Sequence, residues 1–220
     1  MYEKISTFLE NKLPSYLDLL RQMVEINSFS ANPAGVNQLG KLTAQVFSRL
    51  GFAAEYMPSV NPGFGRHLFL DLPARQPAAD ESRPENFIAL VSHLDTVFPP
   101  EEEALNDFHY RVEGERIYGP GTVDIKGGTV MIYAVLEVMR AMYPQVFAQT
   151  HWLVAVDATE ETLSEDFGAL CRARIPPGAR ACLVFEGGTP SRRRSPVVVA
   201  RKGRAEFLIQ AEGRGAHAGN

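Results

Sequence analysis

Three short, nearly unbroken apolar runs constrain this chain most: FIALVS at 87–92, HWLVAV at 151–156 and ACLVF at 181–185. A strand that is apolar at almost every position has to be buried on both faces, which points to a sheet covered by helices on either side. Helical patterns fall between the runs, with Val130, Ala134, Val138 and Met142 in a helix expected over about 127–143, and another expected over about 165–174. Upstream, Leu9, Leu13, Leu17, Leu20 and Val24 recur at helical spacing, and a second helix is expected at about 36–50, ended by Gly51. Residues 67–72 read as a short strand and 73–84 as a polar, proline-containing surface loop. Strands alternating with helices predict an α/β domain of three layers around a largely parallel central sheet.

A length of 220 residues suits one full domain with a small appendage. After Pro196 the pattern changes to two β-rich runs hinged near Lys202 and Gly203, with no helical crossover between them. The expected organisation is therefore a first domain over 1–196 and the first strands of a second over 197–220, of which little is present. A net charge of −4 gives no long-range attraction to nucleic acid or to an anionic membrane, and the Arg192, Arg193, Arg194 run reads as a solvated loop. Two cysteines, Cys171 and Cys182, are too few for a disulfide framework, and the N-terminus has no uninterrupted apolar stretch. A reducing, cytoplasmic location is the expectation.

In sheets of this kind ligands sit beyond the carboxyl ends of the strands. Polar residues collect there: Ser92, His93, Leu94 and Asp95 follow one apolar strand, Glu160 and Glu161 a second, and Glu186 a third. Asp124 lies in the glycine-rich turn GPGTVDIKGG before a helix, where it could also cap that helix. One histidine and several carboxylates at one sheet edge form a plausible site for zinc, with manganese or cobalt as alternatives. His93 and Asp95 are two apart, so they share a face if the strand extends that far, which suits a carboxylate holding the second imidazole N–H. Glu160 and Glu161 are adjacent and cannot easily share a role, so one is expected to ligate metal and the other to act as general base toward water. A phosphate-cradling loop with Lys126 lacks both the P-loop spacing and G-x-G-x-x-G, and no G-x-S-x-G elbow occurs.

Together these segments resemble the clan MH family of co-catalytic zinc peptidases, which includes aminoacylases, acetylornithine deacetylase, succinyl-diaminopimelate desuccinylase and the glutamate carboxypeptidases. SHLDTVFP is similar to the family's first metal motif and YGPGTVDIKGG to its second; ATEET and FEGG follow in order, and RKGRAEFLIQAEGRGAHAGN is similar to the opening of the lid or dimerisation domain. The resemblance implies two Zn2+ ions, with His93 and Glu186 as terminal ligands, Glu161 as a further ligand and Asp124 as the bridging carboxylate. It implies that Asp95 orients His93, that Glu160 is the general acid/base, and that His217 reaches a partner's active site in a homodimer and stabilises the oxyanion. Family members continue beyond this point to a final histidine ligand and a substrate-carboxylate arginine. His67, His109 and His151 are possible substitutes for that ligand, though none sits in a matching motif.

The expected function is hydrolysis of the amide of an N-acyl amino acid, or of a C-terminal glutamate-type residue of a small peptide, with the 220-residue chain alone inactive. Two other readings stand beside it: a truncated, non-catalytic metal-binding relative acting as an interaction module, and a single-metal hydrolase outside the family whose site lacks Asp124.

Overall fold

A computed structural model of the chain describes residues 2–75, 86–188, 198–199 and 209–210. The chain divides into two compact units, Met1–Gly187 and Gly188–Asn220. Of the second, the described Val198, Val199 and Ile209 are exposed. The expected domain boundary at 196–197, the Arg192–Arg194 run and His217 lie outside the described residues.

The first unit opens with helices α1 (Tyr2–Val24) and α2 (Pro33–Ser48), then strands β1 (Ala53–Pro58), β2 (Arg66–Leu72) and β3 (Phe87–His93). Helix α3 (Pro100–Leu105), the small hairpin β4 (Arg111–Glu113) and β5 (Arg116–Tyr118), α4 (Lys126–Met142) and α5 (Pro144–Gln149) follow. The unit continues through β6 (His151–Asp157), a single 3-10 turn at Glu160–Thr162, α6 (Phe167–Arg174) and β7 (Ala181–Val184). The sheet order is β1-β2-β6-β3-β7. β3 pairs in parallel with both β6 and β7, while β2 is antiparallel to β1 and to β6, so β2 alone runs against the other four. The sheet is thus largely parallel, as the apolar runs predict.

β6 shows why an unbroken apolar run was needed. Trp152, Val154 and Val156 enter the larger core with α1, α2 and α4, whereas Leu153 and Ala155 enter a second cluster with Phe69, Phe87 and Phe167 on the opposite face. Alternate residues of a strand face opposite ways, so both sets must be apolar. In the larger core Phe47 is fully buried and packs edge-on against both Phe52 and Tyr133. Truncating a large buried aromatic removes transfer energy and leaves a cavity, so Phe47→Ala is expected to cost about 3–5 kcal/mol. Urea denaturation measures this as a lower midpoint at unchanged slope.

The expected helices and strands up to residue 185 are present, and the two β-rich runs expected after Pro196 lie almost wholly outside the described residues; α1 begins at Tyr2, and α2 starts earlier than expected, at Pro33, where Asn32 caps the helix by accepting from Gly35 N–H at 3.2 Å. β1, α3, α5 and the β4–β5 hairpin are additions that the apolar pattern did not mark.

Candidate metal centre

The parallel strands deliver their carboxyl ends to one edge. β3 ends at His93, in register with Asp157 at the end of β6, and β7 ends two residues before Glu186. His93 has a fully buried side chain, with Nε2 3.0 Å from Asp124 Oδ1 and 3.9 Å from Glu186 Oε2. Donor atoms of His93, Asp124 and Glu186 all lie within 4.8 Å of one another. Asp124 has a side chain 58% exposed and Glu186 one 27% exposed, so the trio opens from a buried imidazole toward solvent.

Asp124 reaches this point on the glycine-rich turn. Gly119 and Gly121 have φ of +144° and +79°, conformations that L side chains rarely adopt. A Cβ on Gly121 would sit 2.9 Å from Lys126 Cδ and 3.0 Å from Thr96 Cγ2. Asp124 does not cap α4: the cap position is Ile125, and no side chain bonds there. Lys126 is buried, and its Nζ donates to the Ile26 carbonyl at 3.0 Å, fastening the turn to the chain after α1. Burial pulls its amine down to about 8 against the opposing charge of Glu103. An inward lysine of this kind does not cradle phosphate.

Asp95 has partners besides His93. The strand stops at His93, whose Nδ1 lies 3.0 Å from the Asp95 backbone carbonyl and 3.4 Å from its carboxylate. The carbonyl is therefore the nearer partner of the second imidazole nitrogen. The buried Asp95 carboxylate accepts from Ser30 Oγ at 2.7 Å and from the backbone N–H groups of Glu160 and Glu161, each at 3.1 Å. It ties the chain before α2 and the 3-10 turn to the histidine strand.

Glu161 stands outside the close trio, but its carboxyl feels the site: burial first, then the charge of Asp124, pushes it up to about 7 against the pull of His93. Burial likewise raises Glu160 and Glu186, with further like-charge contributions from their neighbours. For His93, burial opposes the imidazolium, yet Asp95, Glu186 and Asp124 outweigh it and lift the ring to about 9. Carboxylates and an imidazole displaced upward together are the signature of excess negative charge at one point. An imidazole and carboxylate oxygens form a donor set suited to zinc, and a divalent cation would offset that charge, so these residues fit a metal.

The three other described histidines are occupied elsewhere. His67 lies between Asp157 and Asp166, His109 is beside Asp107, and His151 bonds Asp71 at 2.7 Å at the start of β6, the far end of that strand. None joins the close trio among the described residues. Ser30 and His67 carry polar contacts around the site that no sequence motif marked.

The profile described as Peptidase family M20/M25/M40 matches residues 89–214, more than half of the chain. Carboxypeptidase G2 of Pseudomonas sp. (strain RS-16) is 26% identical over 127 residues, covering 58% of this chain and 28% of its own length. An acetylornithine deacetylase of Erwinia tasmaniensis is 26% identical over 214 residues, covering 95% of this chain and 51% of its own length. The chain thus spans about half or less of these curated relatives. Among solved structures, human carnosine dipeptidase 1 superposes with a TM-score of 0.67 at 16% identity, over 83% of this chain and 40% of that one. This likeness concerns the fold.

Proposed function

The chain belongs to the Peptidase family M20/M25/M40, and from that premise we propose that the complete polypeptide is a two-zinc amide hydrolase acting on N-acyl amino acids or on a C-terminal glutamate-type residue of small peptides. The observation that carries this reading is the convergence of His93, Asp124 and Glu186 donor atoms within 4.8 Å, with the Glu160–Glu161 turn fastened to the same strand end through Asp95. His93, Asp124 and Glu186 would hold one ion, and Asp124 with Glu161 would contribute to the second. Zinc there would supply Lewis acidity toward an amide carbonyl and toward water.

The chain's own residues do the rest. Glu160 takes a proton from water and returns it to the leaving amine, the double duty of a general base that becomes a general acid. Its partial burial raises its pKa, bringing it nearer the working pH of such a group. Asp95 fixes the backbone from which Glu160 and Glu161 project, and its carbonyl fixes the His93 ring. A homodimer in which His217 reaches the partner's site belongs to the same reading.

The single-metal reading expects a site without Asp124, and the 3.0 Å approach of Asp124 to His93 speaks against it. Zinc-loaded complete polypeptide is expected to hydrolyse at least one of two substrate sets, N-acetyl amino acids and short peptides ending in glutamate. A chelator should abolish that turnover and added zinc restore it. Absence of hydrolysis on both sets with zinc bound, or turnover indifferent to the chelator, would overturn the proposal.

A further inference from the structure

We infer that His67 is a positioning residue whose buried ring fastens both ends of the 157–166 loop and thereby holds the Glu160–Glu161 turn in place. The functional part of this inference rests on the roles given to Glu160 and Glu161 above. His67 sits near the start of β2, beside the end of β6, and is wholly buried. Its Nδ1 lies 3.0 Å from Asp157 Oδ1 and 3.2 Å from the Ala158 backbone N, and its Nε2 lies 3.1 Å from Asp166 Oδ1. One ring therefore touches the first and the last residue of the loop that carries the glutamate pair.

The fastening survives a change of protonation. In the neutral ring Nε2–H donates to Asp166 while Nδ1 accepts from Ala158 N–H; in the imidazolium, Nδ1–H donates to Asp157 instead. Burial opposes the charged form, but the two aspartates, one on β6 and one at the start of α6, outweigh it and raise the pKa. Phe167, the first residue of α6, packs its ring 5.3 Å from the imidazole and closes that side.

The loop needs such support. Leu163 within it has φ of +61°, a left-handed conformation costly for a residue with a branched side chain, and such residues persist only where surroundings over-determine them. Other bonds spread from the same two aspartates. Asp157 Oδ1 accepts from Thr159 N–H at 2.9 Å and from Thr159 Oγ at 3.2 Å, and Asp166 Oδ2 accepts from Val60 N–H at 2.9 Å. His67 thus anchors the loop from below while Asp95 holds its middle by the two glutamate amides.

The test uses the zinc-loaded complete polypeptide and two variants, His67→Ala and, at a partly exposed site less prone to misfolding, Asp166→Ala. Amide exchange of Glu160 and Glu161 should quicken by at least about tenfold in both, while Ala89 and Leu90 in β3 keep their protection, because a local opening raises exchange only where it occurs. With hydrolysis present in the parent, kcat should fall by about tenfold or more with KM within about twofold, since misplaced catalytic groups lose transition-state rather than ground-state contacts. Added imidazole should partly restore the exchange protection of His67→Ala. Unchanged exchange at Glu160 and Glu161 in either folded variant would overturn the inference, as would a raised KM at full kcat. If the parent hydrolyses no amide, the functional proposal fails by itself, and the exchange measurement still decides the fastening.

Discussion

Glu160→Ala is expected to lower kcat by about 10²–10⁴-fold, the usual contribution of a general acid/base, while zinc content stays at the parent level. The two outcomes separate because the side chain and the backbone of Glu160 have different duties. Its N–H donates to Asp95 at 3.1 Å, and that bond survives truncation. Glu160 lies outside the trio of close donor atoms, so removing its carboxyl takes nothing from His93, Asp124 or Glu186. Zinc is therefore retained. Atomic absorption on the purified variant, set beside steady-state kinetics, decides the matter. Near-normal kcat, or loss of zinc, would remove Glu160 from the role.

How far the site was legible in the sequence follows from how each residue is held. His93 ends β3, Glu186 lies two residues past β7, and Glu160 and Glu161 lie three and four residues past β6, so the unmistakable apolar runs of these strands marked the sheet edge at which all four collect. Asp124 was legible through its glycines, because positive φ at Gly119 and Gly121 leaves a visible mark in composition. Asp95 was legible as a partner of His93 but not as the acceptor of the Glu160 and Glu161 amides. Those bonds join residues 65 and 66 positions apart, and nothing local encodes them. His67 was hidden for the same reason: its partners are 90 and 99 positions away, and its strand, HLFLDL, reads as an ordinary apolar run in which a histidine is a defect. β1 escaped because it is an edge strand with most of its residues exposed, so AAEYMP carries little apolar signal. Periodicity reports burial, and elements with little to bury report little.

Asp124→Ala is expected to have the larger effect, because on the proposed reading it removes a metal donor rather than a proton carrier. Partners that merely orient a ligand are worth about 10–100-fold in metal affinity, so loss of a donor that approaches His93 at 3.0 Å should weaken zinc binding by more than about 100-fold. If Asp124 bridges two ions, both sites weaken together, and hydrolysis falls to background, below even the Glu160→Ala residue. The fold should survive. Asp124 is exposed and caps no helix; its removal takes the hydrogen bond at His93 Nε2 and leaves Glu186 3.9 Å away, while the ring stays held through Nδ1 by the Asp95 carbonyl. Thermal unfolding of the metal-free variant should match the metal-free parent, whereas zinc should raise the midpoint of the parent and not of the variant, since a ligand stabilises only the state that binds it. Calorimetric titration gives the stoichiometry directly. One site lost with the other intact would exclude a bridging role and make Asp124 a ligand of a single ion; two tight sites in Asp124→Ala would show that this carboxylate holds no metal, and its assignment as a ligand would have to be withdrawn.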